Sequence, residues 1–170
     1  MESYEKTLEE TVVSLLAQRH LTVTTAESCT GGLIAGTLVN AAGASDVLGE
    51  GYVTYSNEAK ERLVGVRHET LERYGAVSEQ TAREMAQGAA KAAGADAALS
   101  ATGIAGPGGG TADKPVGLVY IGCYLDGETW VRECRFAGNR QENRLRTVET
   151  ALAMLRDRLL AGRGQSSMTM

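Results

Sequence analysis

A β-to-α switch near the N-terminus constrains this chain more than any other feature. Residues 21–25 form a short β-rich run, and Leu33-Ile34-Ala35-Gly36-Thr37-Leu38-Val39 resumes as a helical pattern. Between them stand only small and polar residues, Ala26-Glu27-Ser28-Cys29-Thr30-Gly31-Gly32. A strand, a tight turn and a helix start are thereby compressed into about a dozen residues. The turn carries a hydroxyl, a thiol, a second hydroxyl and two glycines. N–H groups left free near Thr30, Gly31 and Gly32, together with the helix dipole, would favour an anion. A nucleophile beside such donors suits acyl transfer. The same residues also fit a plain polar turn with Ser28 or Thr30 as N-cap.

The rest of the chain supplies partners for that unit. Tyr4, Leu8, Val12, Leu15 and Leu16 predict an amphipathic helix over 4–19. The helix after the turn is expected over 31–42, with Gly43 ending it. A second strand is expected at 51–55, followed by Ser56 as N-cap of a helix that carries Lys60 in its first turns. A cation there is disfavoured by the dipole, which would lower its pKa. A short helix over 69–74 should stop at Gly75. Ser78 should cap the next, whose face is Ala82, Met85, Ala86, Ala89 and Ala93.

Residues 96–102 read as a buried strand. They run into Gly103-Ile104-Ala105-Gly106-Pro107-Gly108-Gly109-Gly110, where five glycines in eight residues exclude a helix or a central strand. Such a loop lets backbone donors approach a ligand closely. It lacks the Gly-Lys-Ser/Thr ending of an ATPase phosphate loop. Residues 116–125 and 128–136 form a hairpin around a type I′ turn at Asp126-Gly127. Asn139 can cap a last helix, with Leu145, Val148, Leu152, Leu155 and Leu159 facing the core or a partner subunit and Arg140, Arg144 and Arg146 crowding its start.

This order predicts a three-layer α/β/α sandwich with a mixed, mostly parallel sheet of about five strands. One domain over residues 1–162 and a flexible tail over 163–170 are expected. Ligands bind such sheets beyond the carboxyl ends of strands. Ser28, Tyr55, Thr102 and the glycine loop all fall there, and that convergence favours a functional turn over a plain one.

Composition narrows the classes. Net charge is −4, with 17 Lys and Arg against 21 Asp and Glu, which argues against a nucleic-acid surface. Hydrophobic residues make up 43% and aromatics 5%, so the core must be mostly Ala, Val and Leu. Three scattered cysteines and two distant histidines suggest neither a disulfide framework nor a metal site. No long apolar run or signal-peptide pattern is present, so a cytoplasmic protein without membrane or nucleic-acid partners is expected.

As a nucleophile, Ser28 needs a base, and neither His20 nor His68 sits at a strand end. Lys60, Tyr55, Glu27 and Glu58 are the candidates. A serine–lysine pair would require the Lys60 pKa to fall from about 10.4 to near 7, which is about 4 kcal/mol. Cys29 is the rival nucleophile.

Ala26-Glu27-Ser28-Cys29-Thr30-Gly31-Gly32, Tyr55-Ser56-Asn57-Glu58-Ala59-Lys60, Tyr74-Gly75-Ala76-Val77-Ser78-Glu79, Thr102-Gly103-Ile104-Ala105-Gly106-Pro107 and Lys114-Pro115-Val116-Gly117 resemble the CinA C-terminal domain family. The resemblance spans roughly residues 5–160. It implies a nicotinamide-nucleotide amidohydrolase that converts nicotinamide mononucleotide to nicotinate mononucleotide and ammonia. A serine–lysine mechanism with no metal or other cofactor and a homo-oligomeric assembly are also implied. By motif position, Ser28 would be the nucleophile, Lys60 the base and Tyr55 an aid to proton transfer. Thr102 and the loop glycines Gly103, Gly106, Gly108 and Gly109 would contact the pyridine nucleotide. The match at Arg140 and Arg144 is looser, because Gly138-Asn139-Arg140 stands where relatives commonly read Gly-Asp-Arg. Two other readings compete: a catalytically silent nucleotide-binding module, and an amidase for another small amide.

Overall fold

The computed structural model describes residues 4–166, with side chains through Gly162. Along the chain come α1 (Leu8–Gln18), β1 (Val23–Glu27), α2 (Leu33–Val39), a 3₁₀ turn (Ala44–Asp46), β2 (Tyr52–Val53) and α3 (Asn57–Val64). Then follow α4 (His68–Tyr74), α5 (Glu79–Ala93), β3 (Ala97–Gly103), β4 (Leu118–Leu125), β5 (Glu128–Arg135) and α6 (Arg140–Ser166). The sheet order is β2-β1-β3-β4-β5. β1 runs parallel to β2 and β3, whereas β4 runs antiparallel to β3 and β5. Four strands therefore point one way and β4 against them, giving the mixed α/β sheet expected.

Helices α1, α2 and α6 cover one face, where Leu16, Ile34, Leu38, Leu152 and Leu155 meet Leu99 and Ile121. On the other face lie α3, α4 and α5, with Val64, Leu71, Met85 and Ala89 against Ala98. Each large side chain so buried contributes about 1.5–3 kcal/mol. The alanine-rich face of α5 has a packing reason. A Cβ at Gly88 would stand 1.7 Å from the Val64 carbonyl oxygen, and one at Gly122 would stand 2.7 Å from that of Ala82. Small residues let α5 lie close to both α3 and β4, and aromatics would hold them apart.

Several boundaries differ from the sequence expectation. α1 starts at Leu8, because Thr7 accepts from the Glu10 N–H as its N-cap, which leaves Tyr4 outside the helix and 77% exposed. α2 is shorter at both ends, since Gly31 and Gly32 hold positive φ and start no helix. β2 keeps two residues, because the chain leaves β1 after Thr54 N–H bonds the Glu27 carbonyl. α6 runs on to Ser166, into the expected tail; residues 167–170 lie outside the described residues. Leu145, expected to face the core or a partner, is 56% exposed. The hairpin, the Ser56 and Ser78 caps and the end of α4 at Gly75 match. Among the described residues no helix is long and apolar enough to cross a membrane.

The topology brings four segments to one edge. Residues 28–32 follow β1, residues 54–56 follow β2, the glycine loop follows β3, and α6 starts beside that loop. These four build the candidate site.

Candidate active site

The turn after β1 is held from inside by Glu27. This carboxylate is fully buried and accepts four hydrogen bonds. Oε1 takes the Thr30 hydroxyl and the Ile34 N–H, both at 2.7 Å, and Oε2 takes the Thr25 hydroxyl at 3.1 Å and the Ala35 N–H at 3.0 Å. Gly32 is the N-cap of α2 and has no side chain to cap with, so Glu27 supplies the negative charge that the helix start favours. Glu27 was a candidate base from the sequence; with its oxygens spent on four donors it is an anchor instead.

Ser28 emerges next, partly exposed, its N–H on the Ala101 carbonyl of β3 at 2.9 Å. Gly31 closes the turn by donating to the Ser28 carbonyl at 3.0 Å, so its N–H is not free for an oxyanion. The Gly32 N–H has no protein partner among the described residues and stands at the half-exposed start of α2, whereas Thr30 is fully buried and offers no open donor. The Thr30 hydroxyl is committed to Glu27.

Lys60 reaches this turn from α3. The Ser56 hydroxyl caps the helix at the Ala59 N–H, which sets Lys60 on its inner face. The side chain is 1% exposed, an unusual degree for a lysine. Its Nζ donates to Ser28 Oγ at 3.1 Å and to the Thr54 carbonyl at 2.8 Å. Burial lowers its pKa from the ordinary 10.5 to about 8, opposed only in part by Cys29. Desolvation is the leading cause. Among the described residues no carboxylate pairs with Nζ to restore the charge.

Cys29 is buried in the core beneath α2 and α6, and burial pushes its thiol up to about 12. Adjacent residues thus point opposite ways, Ser28 to the edge and Cys29 to the interior.

Arg144 donates to the carbonyls of Cys29 at 3.0 Å and Thr30 at 3.2 Å. The sequence placed Arg144 among ligand contacts; here it clamps the turn after β1 onto α6. Arg140 donates to the Gly106 carbonyl at 2.8 Å and the Tyr55 hydroxyl at 3.3 Å, joining the glycine loop to the segment after β2. Tyr55, expected beside Lys60, is 64% exposed and bonds to Arg140 rather than to Nζ. The carbonyl of its neighbour Thr54 holds the lysine.

Thr102 is 1% exposed and donates to the Ala76 carbonyl at 2.8 Å, so its hydroxyl ties β3 to the α4–α5 connection and faces no open site. At Gly103 a Cβ would meet the Leu118 carbonyl oxygen at 2.7 Å, which makes this glycine a close-packing residue. Gly106 holds φ +89°, and around Gly108 there is open space. Asn143, fully buried and overlooked in the sequence, accepts from the Gly138 N–H and donates to the Ala105 carbonyl. Asn139 caps α6 through the Glu142 N–H, and Glu142 reaches back to the Asn139 N–H in a reciprocal box. The missing Asp costs the cap nothing. Beside the loop lies a depression of about 560 Å³ lined by Ala105, Pro107, Val116, Asn139, Arg140 and Gln141. A larger one of about 780 Å³ sits between α3 and α5, with neither Ser28 nor Lys60 in its wall.

Comparison with known proteins places the chain in a family. The chain is 55% identical over 157 residues to a Clostridium botulinum protein named for competence and damage induction, matching 92% of this chain and 38% of that protein. It thus spans well under half the length of the curated relatives it matches. The crystal structure of competence/damage inducible protein CihA from Agrobacterium tumefaciens is 48% identical, with a TM-score of 0.84 over 91% of this chain and 97% of that one. A CinA superfamily structure from Klebsiella pneumoniae 700603 is 38% identical with a TM-score of 0.87, covering 91% and 96% of the two chains. The CinA C-terminal domain profile matches residues 5–159, and the chain belongs to the CinA C-terminal domain family.

Proposed function

We propose that this domain hydrolyses the carboxamide of nicotinamide mononucleotide to nicotinate mononucleotide and ammonia, with Ser28 as nucleophile and Lys60 as its base. The observation that carries the reading is the 3.1 Å contact between Ser28 Oγ and a Lys60 Nζ that burial keeps poised near neutrality. With a pKa of about 8, about a tenth of Lys60 is neutral at pH 7. The neutral amine takes the Ser28 proton as Oγ bonds to the amide carbon. Negative charge then develops on the amide oxygen, for which the free Gly32 N–H is the donor at hand. Collapse breaks the C–N bond, and the Lys60 ammonium gives its proton to the departing nitrogen, leaving an acyl-Ser28 ester and ammonia. Lys60 then accepts a proton from the attacking water. Cleavage of the ester returns that proton to Ser28 and frees the carboxylate.

Arg140 spends two of its five N–H donors on Gly106 and Tyr55. Its remaining donors and the open backbone near Gly108 suit a phosphate dianion. Resemblance to the amidohydrolases of this family is the second support.

Ammonia release from nicotinamide mononucleotide tests the reading, using wild type, Ser28→Ala, Cys29→Ala and Lys60→Ala. Release by wild type and Cys29→Ala, with a loss of about 10³-fold or more in the other two, is expected. Loss only in Cys29→Ala would move the nucleophile. Binding without release by wild type would leave a nucleotide-binding module, and release from non-nucleotide amides alone would leave a different amidase.

A further inference from the structure

Two buried hydrogen-bonding groups beside the nucleophile lack partners, and they match. The hydroxyl of Thr54 is fully buried with no hydrogen bond, the one such side-chain atom among the described residues. Lys60 Nζ has two partners, Ser28 Oγ and the Thr54 carbonyl. An ammonium offers three hydrogens. A neutral amine offers two and a lone pair, and the lone pair is spent on Ser28 when Lys60 acts as a base. In either form one N–H of Lys60 has no acceptor, while the residue it already grips at 2.8 Å carries an unused one. Each orphan left buried would cost about 1–3 kcal/mol.

We propose that Thr54 is a positioning residue for Lys60: its carbonyl fixes Nζ, and its hydroxyl, on rotation about χ1, accepts the remaining N–H. The Thr54 backbone is pinned by its N–H on the Glu27 carbonyl at 2.9 Å, so only the side chain needs to move. That movement exchanges one staggered position for another. The hydroxyl is a better partner for an ammonium than for an amine, so the contact stabilises Lys60 in the half of the cycle when it holds the Ser28 proton. The kinetic part of this inference rests on the reading of Lys60 as base; the hydrogen-bonding part does not.

Other groups around Lys60 leave this role open. Cys29 is the titratable group that acts on it from the nucleophile turn. Glu27 is spent on α2. On α3, Glu61 faces His68, and on α5, Glu84 faces Thr70 and the Arg67 backbone.

The test titrates Lys60 directly by NMR of the lysine Cε and Hε signals, without substrate. The chain has only Lys6, Lys60, Lys91 and Lys114, and Lys60→Met assigns the signal. Thr54→Val removes the acceptor at constant shape, and Thr54→Ser keeps it. The Val variant should titrate at least about 0.5 pH unit below wild type, about threefold in the acid constant, and the Ser variant with wild type. A Val variant that titrates with wild type overturns the proposal. Should the Val variant fail to fold, the Thr54 χ1 couplings of wild type at about pH 6 and about pH 10 decide instead. A rotamer that turns the hydroxyl toward Nζ at about pH 6 supports the proposal, and one that keeps it turned away at both pH values overturns it. Absence of ammonia release would bear on the proposed reaction and leave this titration standing.

Discussion

Lys60 Nζ lies 2.8 Å from the carbonyl oxygen of Thr54, six residues back along the chain, and among the described residues no carboxylate pairs with it. Most buried lysines that keep their charge do so against an acid. Here the partners are a carbonyl and a hydroxyl, both neutral, so the protonated form is held at a cost.

That cost has a pH signature. The Lys60 pKa in the fold, about 8, is below the ordinary 10.5, so between those values the unfolded chain binds more protons than the native one. Stability therefore rises with pH through that window, and the penalty is fully present below about pH 8. It amounts to about 3 kcal/mol, against which Lys60→Met gives up a hydrogen bond worth about 1–2 kcal/mol. Lys60→Met should be more stable than wild type by about 1–2 kcal/mol at pH 7 in denaturant titrations, and that advantage should vanish by about pH 10.5. For the proposed reaction, kcat/KM of wild type should rise with pH on a limb centred near 8. A stability gap that does not change with pH would mean that burial does not lower the Lys60 pKa.

Cys29 tests the opposite orientation of adjacent residues. Its thiol is 7% exposed and pushed up to about 12; Cys123 is pushed up to about 12 as well, and burial also raises Cys134. Thiolate is the reactive form. Native protein at about pH 8 should label no faster with a disulfide reagent than it unfolds, and all three thiols should label together in denaturant. Rapid modification of Cys29 in the native state would place it at the edge and reopen it as the nucleophile.

The elements of this fold were legible where the signal is local. Ser56, Ser78 and Asn139 announce helix starts through their own hydroxyl or amide, and Asp126-Gly127 announces its turn through the φ values that it tolerates. The edge that gathers Ser28, Tyr55 and the glycine loop was legible too, because parallel crossovers put strand ends together. What the pattern does not carry is direction. Thr30, Thr102 and Arg144 stand at motif positions, yet each spends its side chain on protein atoms, for Arg144 on carbonyls more than a hundred residues away. Spacing places such a residue near an edge and says nothing of which way its side chain turns. Lys60 lies in the first turns of its helix, where most lysines are solvated, and only the packing of α3 on α5 shows that this one is not.

Glu27 is one of four candidate bases in the sequence, beside Lys60, Tyr55 and Glu58, and the structure gives it another part. This carboxylate accepts two backbone N–H groups and two hydroxyls in a fully buried pocket. Hydroxyls can rotate away from a new donor; the Ile34 and Ala35 N–H groups cannot. Glu27→Gln must turn its NH₂ toward one of them, and removing one acceptor there costs about 2–4 kcal/mol, or about 5–15 °C in Tm for a domain of this size. Glu27→Asp falls one methylene short of the α2 N-terminus and should lose a similar amount. Because Glu27 also fixes the turn that presents Ser28, both variants should lower kcat of the proposed reaction while leaving the pH of its rising limb unchanged. If Glu27 were instead the base, Glu27→Gln would abolish turnover with native Tm, and that pairing of results would overturn the anchor assignment.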